Sequence, residues 1–223
     1  MEVIDINDYN NHKIKENDIV TRILKGEKEL YEILVRRNNQ KLYRVIRGYL
    51  SEEAEIEDVM QNSYIKAYTK LYQFKQHAAF STWLIRIGIN EALARIREKG
   101  KLYHLRETPD DHLKNSILEL PDSKQLNPQD KLIQMETKQL LEKAINLLDS
   151  KYKSVYIMKE VEEMSLKDIA TVLDLTVANV KVRLHRSKIM LKDSLYAMAD
   201  KKQVFEFGFG RCDRITDYVM RNI

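Results

Sequence analysis

The sequence predicts an all-α protein made of two small helical domains joined by a flexible linker, the second being a helix-turn-helix domain. Turn-forming residues are scarce, with six Gly and three Pro in 223 residues, and strand-like alternation is almost absent, so a β-rich fold would lack its turns. Apolar residues instead recur at helical spacing in several segments, with charged residues opposite them. The prolines, Pro109, Pro121 and Pro128, all fall in one polar stretch, which predicts a domain boundary there.

The composition limits the classes of protein to which this chain can belong. Charged residues make up 32% of the chain and the net charge is +4, so the distribution of charge is more informative than its sum. The single Cys212 cannot form an intramolecular disulfide, which fits a reducing compartment. The acidic N-terminus and the lack of a run of about 18 apolar residues predict a cytoplasmic protein without membrane insertion.

The first predicted domain covers residues 1–100. Residues 19–50 have the spacing of one or two amphipathic helices. Ser51 is a candidate N-cap for the next helix, and a further helix should run from Ser81 to about Lys99. Residues 101–129 form the predicted linker.

The second predicted domain covers residues 130–195, with helices expected near 130–149, 151–163, 165–173 and 177–195. Ser165 can cap the third of these helices, Asp174 and Leu175 make a tight turn, and Thr176 can cap the fourth. The expected inward residues of the last helix are Val177, Val180, Leu184 and Ile189. This order of short helix, turn and helix predicts a helix-turn-helix.

The last helix of this motif carries a basic face. Its exposed cations and histidine are expected to be Lys181, Arg183, His185, Arg186, Lys188 and Lys192. An α-helix fits the major groove of DNA, where its first turns can reach base edges while later cations hold phosphates. The alternative is the solvated basic face of an ordinary three-helix domain, which the order of the elements disfavours.

A second candidate site lies near residues 72–97, where aromatic rings and cations alternate. Arg86, Asn90 and Arg97 share one helical face, and the preceding aromatic residues are Tyr72, Phe74, Phe80 and Trp83. Such a mixture suits an unpaired DNA strand, because every base offers a π-face and every nucleotide a phosphate. Taken singly, each aromatic residue is more often part of a core. The core face of this helix is expected at Leu84, Ile87, Leu93 and Ile96.

A third candidate site is an acidic cluster ahead of the polar residues Gln61 and Asn62. Its members are Glu52, Glu53, Glu55, Glu57 and Asp58. In a nucleic-acid-binding domain such a strip must point away from DNA, which suggests a protein-docking face. The alternative is a charged helix start, since acids favour that end of the helix dipole.

Four segments of the sequence resemble one known family. AEIEDVMQNSYIKAY, LYQF, FSTWLIRIGINEALARIR and SLKDIATVLDLTVANVKVRLHRSKIMLK occur in the order and spacing of the extracytoplasmic-function group of bacterial sigma factors. The resemblance covers about 20–100 and 130–195 and implies region 2, which docks on the β′ clamp helices of core RNA polymerase and captures the melted −10 element. It also implies region 4, which binds the β flap and recognises the −35 element.

The resemblance assigns roles to individual residues. Asp58 and Gln61 match the polymerase-docking positions. The residues implied for the −10 element are Phe74, Lys75, Phe80, Trp83, Arg86 and Asn90. Those implied for contact with the −35 element are Lys181, Val182, His185 and Arg186, on the basic helix that also presents Arg183 and Lys188 to DNA.

Two positions depart from the family pattern. Asp174 stands where Gly is usual in the turn, and Asp tolerates the left-handed conformation better than most residues. Val182 replaces a small polar residue and can offer a thymine methyl contact but no hydrogen bond. Residues 196–223 lie beyond the resemblance; packing against the second domain, a docking segment and a regulatory tail are the alternatives for them.

Two other functions compete with a sigma factor. A two-domain helix-turn-helix repressor or activator would bind duplex DNA on its own, but it does not account for the aromatic stretch around Trp83 or the acidic helix. An enzyme is less well supported, because the sequence has no Gly-rich phosphate loop, nucleophile motif or ligand spacing among its five His. No catalytic residue, metal or cofactor is predicted. An anti-sigma factor is a possible partner.

Overall fold

The structure, a computed structural model, describes residues 14–103, 128–198, 214 and 218–220. Its helices are α1 Glu16–Leu24, α2 Tyr31–Arg47, α3 Glu53–Thr69, α4 Phe80–Tyr103, α5 Pro128–Asn146, α6 Ser150–Tyr156, α7 Leu166–Leu173 and α8 Val177–Met198. Two 3-10 turns, Lys28–Leu30 and Leu71–Gln73, and a π-helical turn, Ile157–Val161, complete the elements. No strand occurs within these described ranges, and the all-α prediction is confirmed.

Helices α1 to α4 form the N-terminal half around one apolar core. The core side chains that are wholly buried include Ile19, Ile33, Leu34, Leu42, Ile46, Ile56, Phe80 and Leu84. Gly88 lets α4 cross α2 closely, because a Cβ atom there would lie 2.7 Å from Leu42 Cδ1. This close approach fixes the direction of α4, which carries four of the six predicted −10 residues.

The start of α3 differs from the sequence prediction. Glu52, not Ser51, occupies the N-cap position, and no side chain caps the helix amides there. Glu55 turns inward and is only 9% exposed, with Lys99 Nζ at 2.6 Å and Arg95 Nε at 3.3 Å. Helix α3 is therefore joined to α4 by a largely buried carboxylate and two cations.

Helices α5 to α8 form the C-terminal half, and the predicted helix-turn-helix is confirmed in detail. The Ser165 hydroxyl accepts a hydrogen bond from the Asp168 amide at 3.1 Å, and the Thr176 hydroxyl accepts one from the Asn179 amide at 3.2 Å. Between these two caps Asp174 is left-handed, with φ 54°. Two N-caps and a residue that tolerates this conformation thus define the turn locally.

The segment expected as one helix over 151–163 is irregular. Helix α6 ends at Tyr156, a π-helical turn covers Ile157–Val161, and Glu163 is left-handed with φ 53°. The hydrogen-bonding pattern thus changes where the chain passes over the N-terminal half.

The two halves contact each other. Val45 of α2 and Ile85 and Ile89 of α4 are buried in one cluster with residues of the C-terminal half, among them Val155, Ile157, Met158, Ile169, Val172 and Val180. The core face predicted for α4 was therefore only partly right. Leu84 is buried, but Leu93 and Ile96 are exposed, while Ile85 and Ile89 are covered by the other half.

Two parts of the chain lie largely outside the described residues. The linker prediction falls on them between 104 and 127, and of the tail only 214 and 218–220 are described. Tyr218 and Val219 are exposed, and the role of residues 196–223 stays a prediction. No described helix combines the length and the apolar character required to cross a membrane.

Candidate nucleic-acid interface

Helix α8 is the recognition helix of the helix-turn-helix, and its buried and exposed faces are well separated. Val180, Ser187 and Leu191 are buried against the other helices of this half. Lys181, Val182, His185, Arg186 and Lys188 are all exposed. The exposed face therefore carries predicted −35 residues on a helix that fits the major groove of DNA.

Ile189 was predicted to face inward, and this is wrong. It lies nine residues after buried Val180, which is two and a half turns of an α-helix, so it points to the opposite side. Ile189 is 46% exposed, and Val177, also expected inside, is 36% exposed. Ile189 and Val182 together make an apolar strip in the middle of the basic face, where thymine methyl groups could be contacted.

Three cations of α8 have intramolecular partners. Arg183 is half-buried, and its Nε donates a hydrogen bond to Asn179 Oδ1 at 3.0 Å. Lys188 Nζ lies 2.9 Å from a Glu160 carboxylate oxygen, and Lys192 Nζ lies 5.5 Å from the centre of the Tyr196 ring. Of the predicted −35 cations, Lys181 and Arg186 form no side-chain ion pair or hydrogen bond with the part of the chain that the structure describes, so both can contact phosphates or bases.

We expect Arg186 and Lys192 to have different roles, because Arg186 lies in the middle turns of α8 and Lys192 near its end. Arg186→Ala should cost about 1 to 3 kcal/mol on the preferred −35 sequence and reduce discrimination among variants. Lys192→Ala should weaken binding to all sequences alike and lower the salt slope by about one. Activity with core polymerase on a −35 library at several salt concentrations measures both effects. An equal loss on every sequence for Arg186→Ala would make it a phosphate contact.

The second candidate surface is at the start of α4, where three aromatic rings meet. Phe74, Phe80 and Trp83 have ring centres 5.4 to 5.9 Å apart. Phe80 is 0% exposed and Phe74 is 7% exposed. Neither ring can stack on a base from this position, so the predicted direct role of these two residues does not fit the structure. Trp83 is half-buried and is the ring of this cluster with exposed area.

Polar residues surround the edge of this aromatic cluster. Lys75, Gln76 and His77 form an exposed loop between the 3-10 turn and α4. Gln76 is left-handed with φ 57°, and its Nε2 is 3.3 Å from Thr21 Oγ1 of α1. Arg86 and Asn90 are exposed further along α4. The geometry thus provides a cation-bearing loop, one accessible ring and a polar helix face, which suits an unpaired strand.

The third candidate surface is on α3. Asp58 and Gln61 are exposed, but the acidic strip is smaller than predicted, because Glu55 is buried in ion pairs and Glu53 accepts a hydrogen bond from the Tyr43 hydroxyl at 3.1 Å. The exposed stripe continues through apolar side chains that sequence reasoning did not select. These are Ile65, Tyr68 and, just after the helix, Tyr72.

This stripe on α3 has a helical repeat. Asp58, Gln61, Ile65 and Tyr68 are separated by three or four residues, so they lie on one side of the helix. Ile65 is 62% exposed and Tyr72 is 72% exposed. Large exposed apolar residues beside a charged one are typical of a protein-docking surface. Because these residues alternate with polar residues in the sequence, the sequence analysis did not identify the stripe.

Comparison with known proteins decides the family. The sigma-70 region 2 family model matches residues 34–102, and the sigma-70 region 4 model matches residues 138–191. The first range covers α2 to α4 of the N-terminal half. The second range runs from α5 into α8 and contains the helix-turn-helix. The chain belongs to the extracytoplasmic-function sigma factors. This sigma factor directs promoter recognition by RNA polymerase.

Relatives of this sigma factor match over nearly their whole length. It is 28% identical to the ECF RNA polymerase sigma factor SigW of Bacillus subtilis over 176 residues, covering 79% of this chain and 94% of the relative. It is 27% identical to the ECF RNA polymerase sigma-E factor of Haemophilus influenzae, covering 82% of this chain and 96% of the relative.

Solved structures share the fold of this sigma factor. The sigma factor RpoE of Bartonella quintana, in complex with the anti-sigma factor NepR, matches with a TM-score of 0.59 and 19% identity over 74% of this chain and 96% of that one. CnrH, in complex with the cytosolic domain of CnrY, matches with a TM-score of 0.55 and 22% identity over 81% of this chain and 97% of that one.

Proposed function

We propose that this sigma factor divides its work between residues 1–100 as region 2, residues 130–195 as region 4 and residues 101–129 as the linker between them. Region 2 docks on core polymerase and captures the melted −10 element, and region 4 recognises the −35 element as duplex. The exposed face of α8 carries this assignment most directly, because it follows two capped helix starts and a left-handed turn. The protein contributes binding energy to initiation and leaves the chemistry to polymerase, in the cytoplasm.

The docking surface for the β′ clamp helices is the stripe on α3. Asp58 supplies a charge that steers and orients the partner, and Gln61 supplies a side-chain amide for hydrogen bonds. Ile65 and Tyr68 supply apolar area that is exposed in this structure and would be desolvated by a partner helix. Region 4 makes a second contact, with the β flap, so that both domains are bound to core polymerase.

Strand capture is assigned to the edge of the aromatic cluster. Phe74 and Phe80 position the loop 75–79 and the Trp83 ring from inside the core. Lys75 and Arg86 hold the strand through phosphates, and Asn90 offers donors and acceptors to bases or sugars. The structure therefore supports positioning roles for the two phenylalanines and contact roles for the four exposed or half-exposed residues.

An anti-sigma factor is a proposed partner of this chain. RpoE of Bartonella quintana, which has the same fold, is in complex with the anti-sigma factor NepR. CnrH, which also shares the fold, is in complex with the cytosolic domain of CnrY. The exposed apolar residues of α3 are a surface that a competitor of polymerase would use. The alternative function, a repressor or activator that binds duplex DNA alone, finds no observation that favours it over the sigma factor.

Binding to promoter DNA with and without polymerase tests the proposal. We expect the purified chain alone to show only salt-sensitive, sequence-independent binding, and the mixture with core polymerase to bind promoter fragments selectively. Electrophoretic mobility shift with promoter and scrambled duplexes measures the difference. Selective, tight binding of duplex by the chain alone would favour a classical regulator instead.

A further inference from the structure

The outermost face of the recognition helix α8 is apolar. Val182 is 50% exposed and Ile189 is 46% exposed, and their spacing of seven positions places them on one side of the helix. Val182 lies nine positions before the buried Leu191, which is two and a half turns, so its side chain points away from the helices that α8 packs on. Exposed Ala178 lies one turn before Val182 on the same side.

Cations lie along both edges of this apolar column. Lys181 and Lys188 are seven positions apart and follow one edge, and Arg186 lies on the other edge. All three are exposed. In the major groove the base edges form the floor and the phosphates form the two rims. A helix with an apolar centre and cationic edges therefore places its apolar side chains where bases are recognised.

The side-chain amide nearest to this column already has a partner. Asn179 Oδ1 accepts a hydrogen bond from Arg183 Nε at 3.0 Å. An Asn that recognises adenine must use both atoms of its amide, so such a contact would compete with the bond to Arg183. The first two turns of α8 thus offer to bases the methyl groups of Ala178 and Val182, beside the cation of Lys181.

Val182 is well suited to an apolar contact because its side chain is rigid. A β-branched residue in a helix strongly prefers one χ1 rotamer, so little side-chain entropy is lost when the methyl groups are held against a partner. The apolar group that a base presents in the major groove is the C5-methyl group of thymine. Cytosine presents the same group only when it is methylated at C5.

We propose that Val182, supported by Ala178, selects one base pair of the −35 element through contact with a pyrimidine C5-methyl group. Val182 thereby distinguishes thymine from unmethylated cytosine without a hydrogen bond, while the cations at the edges supply sequence-independent binding to phosphates. The inference rests on the proposed function of region 4 and names the chemical group that one of its residues recognises.

Replacing thymine by uracil tests this contact, because deoxyuridine lacks only the methyl group. A promoter located by run-off mapping is randomised across its −35 element, and the library is amplified with either thymidine or deoxyuridine triphosphate. Holoenzyme selects from each library by binding, and sequencing measures the enrichment of each base. For the wild type we expect one position at which thymine is enriched and uracil is enriched roughly fourfold less, as the burial of one methyl group predicts.

Two variants identify the residue that makes the contact. Val182→Ala removes the partner of the methyl group from an exposed position, so the fold is retained and thymine and uracil should be enriched equally. Ile189→Ala is the matched control, since it shortens the same apolar column two turns further on and should keep the fourfold difference. In synthetic duplexes, 5-methylcytosine at the selected position should bind wild-type holoenzyme more tightly than cytosine, and Val182→Ala should abolish this gain.

Equal enrichment of thymine and uracil at every position with the wild-type chain would overturn the inference. A difference that persists in Val182→Ala would also overturn it, because the methyl group would then act through DNA shape or another residue. The proposed function fails in a distinguishable way. If holoenzyme that starts transcription at the mapped site selects no −35 sequence from either library, region 4 does not recognise this element, and the inference fails with that function.

Discussion

Replacing Asp58 with Lys and Gln61 with Ala is expected to lower the affinity for core polymerase about 100-fold while leaving the fold intact. Both side chains are exposed on α3 and neither takes part in the core, so the substitutions remove contacts to a partner only. Loss of two contacts in the centre of an interface, one of them with reversed charge, costs about 2 to 4 kcal/mol. A pull-down titration, with circular dichroism of the free variant, measures the effect.

A matched control distinguishes the loss of docking contacts from a general effect of the change in net charge. Glu98→Lys makes the same charge change at an exposed position on α4 and should leave the affinity within twofold of the wild type. Ile65→Lys should weaken binding as well, since it places a charge in the apolar part of the stripe. If the double variant binds core polymerase normally and Glu98→Lys does not, the docking face is not on this side of α3.

Substitutions in the aromatic cluster are expected to separate folding from strand capture. Phe80→Ala should lower the free energy of unfolding of the N-terminal half by about 3 to 5 kcal/mol, because its ring is wholly buried and a cavity remains. Trp83→Leu keeps apolar packing and should lower promoter opening through loss of stacking, worth about 1 to 3 kcal/mol per base. Urea denaturation measures the first effect and permanganate footprinting the second.

The two variants are each other's control. Trp83→Leu should form closed promoter complexes with normal affinity, since stacking is available only once the strand is unpaired. Ile96→Ala, at an exposed position on the same helix, should change neither stability nor opening by much. Normal footprints in Trp83→Leu would remove the ring from strand capture, and an unchanged unfolding midpoint in Phe80→Ala would contradict its place in the core.

The features that the sequence predicted well are those set by local interactions. Ser165 and Thr176 cap their helices through amides three residues away, and Asp174 adopts the left-handed turn by itself. Such signals depend on a few neighbouring residues, so they can be recognised in a single chain. The helix-turn-helix and the exposed face of α8 followed from them.

The features that the sequence did not predict depend on distant parts of the chain. Ile85 and Ile89 are buried because the C-terminal half packs against α4, and helical periodicity cannot tell which of two apolar faces meets the second partner. Glu55 was counted in an exposed acidic strip but is neutralised by Arg95 and Lys99, about forty residues later in the chain.

Phe80 illustrates a further limit of sequence reasoning. Aromatic residues near cations are typical both of a strand-binding site and of a core edge, and only burial distinguishes them. Ile189 was misassigned for a simpler reason, since its spacing from Val180 places it on the opposite side of α8. Counting residues along the helix would have found this.

Run-off transcription tests the central claim most directly. Core polymerase with and without the full chain should be offered fragments of the genome that encodes it, and transcript 5′ ends should be mapped. We expect the chain to create start sites that core polymerase alone does not use, each preceded by a shared pair of elements. If no fragment yields a new start site, while a known sigma factor activates its own promoter in the same reaction, the chain does not direct initiation.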